Sequence, residues 1–115
     1  MLKVFLVDIV SKHIDRSLLE DRMRELENLV ETYGGMVIMK TYQKRQNPDY
    51  KTYIGKGKLE EIKADMQEMG ASLLIIGNIL RPSQVYVLNE RMREAKIQVW
   101  DRVDLILKIF DKHAQ

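Results

Sequence analysis

The residues whose types and spacing could bind an anion are Gly55, Lys56, Gly57 and Lys58, which precede an amphipathic stretch beginning at Leu59. Glycine permits positive φ angles and lets another group approach the backbone closely. Free amides at a helix start attract negative charge, and the lysines add to that attraction. The segment is therefore a candidate site for a phosphate or carboxylate. A tight strand-to-helix connection with solvated lysines would have the same sequence.

Two known nucleotide motifs do not fit this segment. The dinucleotide fingerprint needs a third small residue near the helix start, where this chain has Glu60. A Walker-type loop needs two widely spaced glycines, then Lys and a Ser or Thr for magnesium, but Leu59 follows Lys58. We therefore expect no autonomous nucleotide hydrolase in this chain. Nothing resembles a nucleophile elbow either, so we expect no catalytic residue.

A second candidate group combines cations with aromatic rings between residues 40 and 58. The net charge of the chain is only +2, yet this stretch has six Lys or Arg residues and one acid, Asp49. Such a mixture suits RNA phosphates and unstacked bases. The candidate RNA contacts are Lys40, Tyr42, Lys44, Arg45, Tyr50 and Lys51. Residues 43–49 read as an exposed loop, and the alternative to an RNA contact is that the charges of this loop are simply solvated.

The elements that must position these residues follow from apolar spacing. Nearly continuous apolar runs predict strands at residues 2–10, 36–39, 71–76 and 97–100. Between and after these runs, apolar residues recur at helical spacing in four stretches. For the first helix we expect a capping box of Ser17 and Glu20 and an end at Gly34. Gly70 should end the second helix, and Pro82 should begin the third.

This alternation predicts one α/β domain over residues 1–115. About four mostly parallel strands should form a sheet with helices on both faces, giving three layers. Ligands in such sheets lie beyond the carboxyl ends of the strands. The polar candidates there are Asp8, Asn78, Asp101 and Arg102. Asp8 also raises the alternative of a phosphoacceptor domain, but the usual acidic neighbour and late lysine partner are not apparent.

Composition excludes several classes of protein. The chain has no cysteine, and its two histidines, His13 and His113, are far apart in sequence. These features argue against a disulfide framework and a metal site. The apolar run at the start is too short to cross a bilayer, and no signal-peptide pattern follows it. We therefore expect no membrane span and a cytoplasmic location.

Three segments in this order resemble the amino-terminal domain of HflX-family GTPases. They read Tyr53-Ile54-Gly55-Lys56-Gly57-Lys58-Leu59, Leu80-Arg81-Pro82-Ser83-Gln84 and Val99-Trp100-Asp101-Arg102. The resemblance covers nearly the whole chain. It departs at Val103-Asp104, where the family commonly has Thr-Gly, so any role of that threonine is absent.

The resemblance implies a noncatalytic module of a ribosome-associated GTPase that splits or rescues stalled ribosomes. The expected partners are the large ribosomal subunit with its RNA and the parent's own GTPase domain; the oligomeric state stays open. GTP and Mg²⁺ are expected for the full-length parent, and no cofactor for this fragment, because the family's nucleotide and magnesium motifs have no matching positions here. The segment from Gly55 to Lys58 would face RNA or the GTPase domain. Alternatively, it binds ATP or GTP directly.

Overall fold

The computed structural model describes residues 1–45, 47 and 52–114. Tyr50 and Lys51, two of the candidate RNA contacts, lie outside the described residues. The elements are β1 (Lys3–Val10), α1 (Arg16–Tyr33), β2 (Met36–Lys44), α2 (Lys56–Met69), β3 (Leu73–Ile76), α3 (Pro82–Met92), a 3₁₀ turn (Arg93–Ala95), β4 (Gln98–Trp100) and α4 (Arg102–His113).

The four strands form one parallel sheet in the order β2-β1-β3-β4. Helices α1 and α4 cover one face, and α2 and α3 cover the other. The prediction of a three-layer α/β fold is confirmed. Among the described residues, no helix is both long enough and apolar enough to cross a membrane.

Strand β1 shows why the central strands read as continuous apolar runs. Val4 and Leu6 point into the core beneath α1 and α4, whereas Phe5, Val7 and Ile9 point into the core beneath α2 and α3. All five side chains are buried. Because both faces of the strand are covered, alternation between apolar and polar residues is lost.

The ends of the first two helices follow the sequence only in part. Gly34 and Gly70 have φ angles of 111° and 72° and end α1 and α2, as predicted. The predicted capping box of Ser17 and Glu20 is wrong. Asp15 is the N-cap instead, because its carboxylate accepts hydrogen bonds from the amides of Ser17 at 3.1 Å and Leu18 at 3.3 Å.

Strand β2 is longer than its apolar run. Gln43 and Lys44, expected to begin a loop, pair with Ile9 and Val10 of β1. Since β2 is an edge strand, its side chains are only partly covered, and polar residues are tolerated along it. An apolar pattern alone could not find the end of such a strand.

Candidate functional site at the carboxyl end of the sheet

The start of α2 is built on the end of β2. Gly55 is the N-cap of α2, with φ −62° and ψ 142°, and no side chain caps the helix. The amide of Gly55 donates to Oε1 of Gln43 at 2.9 Å, which fixes the start of the helix to the edge strand. The carbonyl of Gly55 accepts the first helical hydrogen bond, from Leu59. The amides of the first turn have no acceptor within the helix.

The two glycines have different roles, and neither has a positive φ. Gly55 is buried, and a Cβ there would collide with Nη1 of Arg45 and lie 2.8 Å from Nε2 of Gln43. Gly57 is exposed, and nothing lies within 4 Å of the position where its Cβ would be. Gly55 thus admits two neighbouring side chains, and Gly57 leaves the helix start open. The positive φ occurs instead at Tyr53, at 70°.

Three cations of the described residues belong to this region. Lys56 is exposed, and Nζ of Lys58 lies 4.0 Å from Oε1 of Glu61. Arg45 packs beside Gly55, and its Nε donates to the carbonyl oxygen of Asn47 at 3.0 Å. First-turn amides and neighbouring cations together favour a bound anion.

The other described candidate RNA contacts lie along β2. Lys40 lies 3.4 Å from Glu27 of α1. Tyr42 packs against the core beneath α1 and α4, and burial together with the charge of Asp8 raises the pKa of its hydroxyl. Lys44 is exposed at the end of β2. Among the described members of this group, Arg45 adjoins Gly55.

Asp8 lies fully buried in β1 and is paired with a residue that sequence reasoning did not select. Arg22 of α1 donates to both carboxylate oxygens, from Nε at 2.9 Å and from Nη2 at 2.7 Å. The hydrogen bond with Asp8 raises the pKa of the Arg22 guanidinium. A Cβ on Gly77 would lie 2.8 Å from Oδ1 of Asp8, so glycine makes room for the carboxylate.

Asn78 joins the carboxyl ends of β1 and β3, the point where the strand order reverses. Its Oδ1 accepts from the amide of Ile9 at 3.0 Å, and its Nδ2 donates to the carbonyl oxygen of Ile9 at 2.8 Å. In open α/β sheets this crevice is the usual ligand site. In this protein the side chain of Asn78, which follows β3, bonds to the backbone of β1 in that crevice.

Asp101 and Arg102 are also engaged by their own surroundings. Asp101 accepts from the amides of Leu80 at 2.9 Å and Asp104 at 2.8 Å, and its own amide donates to Asp104 at 3.1 Å. Burial and the nearby Asp101 raise the pKa of Asp104. Arg102 donates to the carbonyl oxygen of Gly77 at 3.0 Å and to Glu25 at 2.7 Å. Asp101 and Arg102 therefore join the start of α4 to the segment after β3 and to α1.

The strand-end candidates therefore form a satisfied polar network, while the α2 start presents its charges outward. Sequence reasoning missed Arg22, Glu25, Gln43 and Asp104, whose partners are remote in sequence or were not read as part of a cap. In the described part of the chain, no three His, Cys, Asp or Glu side chains are grouped as a metal site requires.

Comparison with known families supports the sequence resemblance. A family described as "GTP-binding GTPase N-terminal" matches residues 20–111. The chain is 34% identical over 113 residues to GTPase HflX of Flavobacterium psychrophilum, covering 98% of this chain and 27% of the relative. It is 38% identical over 93 residues to GTPase HflX of Methanocaldococcus jannaschii, covering 81% of this chain and 22% of the relative. The chain thus spans about a quarter of the length of these relatives.

Solved structures agree with the fold. A GTP-binding protein from Sulfolobus solfataricus in complex with GDP has a TM-score of 0.72 and 29% identity, over 98% of this chain and 31% of that chain. The catalytic domain of an IS607-like serine recombinase has a TM-score of 0.64 at 14% identity, over 96% of this chain and 77% of that chain. The recombinase shares the fold alone.

Proposed function

The chain belongs to the GTP-binding GTPase N-terminal family, and from that premise we propose that it is the noncatalytic amino-terminal module of an HflX-like GTP-binding protein. In the full-length protein, GTP and Mg²⁺ bind outside this module, since the segment from Gly55 to Lys58 does not fit a Walker-type loop. The full-length protein acts in the cytoplasm on the large ribosomal subunit, where it splits or rescues stalled ribosomes. The module contacts ribosomal RNA and couples that contact to the GTPase domain.

The observation that carries this proposal is the open start of α2. Lys56 and Gly57 are exposed, the helix has no side-chain cap, and Arg45 lies beside the N-cap. A phosphate of an RNA backbone placed there would accept hydrogen bonds from the first-turn amides and would meet the two lysines. Cationic side chains release counterions from RNA when they bind, which makes the contact sensitive to salt.

The same geometry supports coupling to another domain. Gln43 fixes the N-cap of α2 to β2, so a group bound at the helix start is held against the sheet. Gly57 leaves space for the close approach of another backbone. In this proposal, RNA and the GTPase domain meet the module at neighbouring parts of the α2 start.

The RNA part of the proposal is tested by replacing its cations. We expect the variant with Lys44, Arg45, Lys56 and Lys58 all changed to Ala to bind ribosomal RNA at least about tenfold more weakly at low salt. The slope of log affinity against log salt should also be shallower. Fluorescence anisotropy with labelled fragments of large-subunit RNA measures both quantities.

The matched control removes cations at the other end of the sheet. Lys3 lies at the start of β1, and Arg93 follows α3. Lys3→Ala/Arg93→Ala removes as many cations as Lys56→Ala/Lys58→Ala, but it should bind RNA as tightly as the wild type. Unchanged RNA affinity in the fourfold variant would refute an RNA contact at this site.

The uncapped helix start also supports a second candidate, direct binding of ATP or GTP through their phosphates. Calorimetric titration of the chain with each nucleotide distinguishes it from the RNA proposal. Heat of binding that disappears in Lys56→Ala/Lys58→Ala would favour the nucleotide. No heat at millimolar nucleotide would exclude it.

A further inference from the structure

Helix α4 carries apolar side chains on two opposite faces. Leu105 is fully buried, and Ile109 packs in the same core beneath α1 and α4. Val103, Leu107 and Phe110 project from the other side of the helix and are 38%, 55% and 68% exposed. A helix on the surface of a soluble domain normally has one apolar face. The second face needs a separate explanation.

The exposed apolar surface continues from α4 onto α3. A cavity of about 450 Å³ lies between the two helix starts, lined in part by Ile79, Pro82, Tyr86 and Val103. Ile79 and Tyr86 are 69% and 66% exposed. We name the following residues the α4 patch: Ile79, Tyr86, Val103, Leu107 and Phe110.

The α4 patch is a concentration of exposed apolar groups. It contains five of the ten large apolar side chains that are exposed in the described part of the chain. Single exposed apolar residues are ordinary, whereas a contiguous group of them marks an interaction surface. The cavity provides a recess in which an apolar side chain of a partner could be buried.

Two carboxylates lie beside the α4 patch. Asp104 lines the cavity, and Asp111 lies two turns further along the same flank of α4. Neither carboxylate has an ion pair within the described residues. Lys108 lies between them in sequence and its charge acts on Asp104, while its ammonium lies 5.7 Å from the ring centroid of Trp100. Arg102 donates to Gly77 and Glu25 instead.

We propose that the α4 patch is a docking surface for a basic amphipathic helix of a protein partner. The apolar side chains of that helix would cover Leu107 and Phe110 and enter the cavity beside Tyr86. Its Lys or Arg side chains would meet Asp104 and Asp111. This inference goes beyond the proposed RNA contact and uses none of its residues.

The charges also disfavour a second copy of the chain as the occupant. An antiparallel pair of α4 helices centred on Leu107 would place Asp104 of one copy near Asp111 of the other. Like charges at such an interface oppose association. A basic helix relieves the same charges and is therefore the better occupant.

Two synthetic helical peptides of about 18 residues test the proposal, a length at which an isolated helix is stable enough to use. Both have Leu along one face, and the other face is Lys in one and Glu in the other. Fluorescence anisotropy should show the Leu/Lys peptide binding about tenfold more tightly than the Leu/Glu peptide. Leu107→Gln/Phe110→Gln should weaken that binding about tenfold.

Two further variants separate apolar contact from charge. Leu18→Gln/Met69→Gln removes exposed apolar groups elsewhere and should bind like the wild type. Asp104→Asn/Asp111→Asn should reduce the preference for the Lys peptide. The side-chain oxygen of the asparagine introduced by Asp104→Asn can still accept the capping hydrogen bond, so the start of α4 is kept. Circular dichroism establishes that each variant is folded.

Equal affinity for the two peptides, or undiminished binding by folded Leu107→Gln/Phe110→Gln, would overturn the proposal. Sedimentation equilibrium gives an independent test. Self-association of the wild type that Leu107→Gln/Phe110→Gln abolishes would assign the α4 patch to a second copy instead.

Discussion

At the scale of single residues, Arg22 pairs with Asp8 at the carboxyl end of the sheet. A fully buried carboxylate is costly unless it is paired and hydrogen-bonded, and Arg22 supplies two hydrogen bonds. Arg22 also donates to the carbonyl oxygen of Gly77 at 3.3 Å, so it links α1 to β1 and β3. Asp8 is therefore explained by the stability of the fold.

We expect Arg22→Met to lower the free energy of unfolding by about 3 kcal/mol, because it leaves a buried charge without its partner. Urea denaturation at neutral pH measures the change. Arg16→Met on the same helix is the matched control, since the Arg16 side chain is 90% exposed and its pair with Glu20 should contribute below about 1 kcal/mol. Equal effects of the two substitutions would contradict this account of Asp8.

At the scale of elements, the edge of the sheet formed by β4 is covered by a side chain. The outer edge of β4 is covered by the side chain of Asn89 in α3, which accepts from the amide of Val99 and donates to its carbonyl oxygen, both at 2.9 Å. Asn89 thus satisfies the backbone groups that a further strand would use. Val99 is almost fully buried, so water cannot easily replace the amide.

Asn89→Ala should therefore destabilise the protein by about 2 kcal/mol, since it leaves a buried N–H and C=O without their partners. Thermal unfolding followed by circular dichroism measures the loss. Asn28→Ala on the exposed face of α1 is the control for changes in helix propensity and should have little effect. A stability for Asn89→Ala that matches the control would show that the edge of β4 needs no cover.

The start of α4 has a predictable dependence on pH. Because the pKa of Asp104 is raised above its ordinary value of 3.8 in the folded state, the folded protein takes up this proton at a higher pH than the unfolded chain. Protonation there favours folding. As the pH falls from neutral toward 3.8, the wild type should gain stability relative to Asp104→Asn.

Urea denaturation of the wild type and Asp104→Asn at several pH values tests this sign. The relevant quantity is the difference between their free energies of unfolding. If that difference stays constant, or if the wild type loses stability relative to Asp104→Asn as the pH falls, then the folded state does not disfavour the charged form of Asp104.

At the scale of the whole molecule, the sequence predicted the architecture better than the side-chain contacts around the candidate residues. Covered strands such as β1 and β3 are recognisable because burial on both faces leaves a continuous apolar run. The helix ends at Gly34 and Gly70 depend on local backbone conformation, which glycine reveals. The contact between Asp8 and Arg22 depends on packing between elements and could not be read from spacing.

The α2 start illustrates the same limit. The sequence identified Gly55 to Lys58 as a possible anion site, but the anchoring side chain is Gln43 at the end of an edge strand. Because β2 is only half covered, its polar residues resemble a loop in the sequence. The position of Arg45 beside Gly55 likewise follows from the strand continuing to Lys44.

The central claim is that this module docks on the large ribosomal subunit through the α2 start. The most direct test is pelleting of the chain with purified large subunits across a salt series, with Lys56→Ala/Lys58→Ala and Lys3→Ala/Arg93→Ala in parallel. We predict salt-sensitive pelleting that is weakened by the first variant and retained by the second. Absence of pelleting for the folded wild type, or equal pelleting of both variants and the wild type, would contradict the claim.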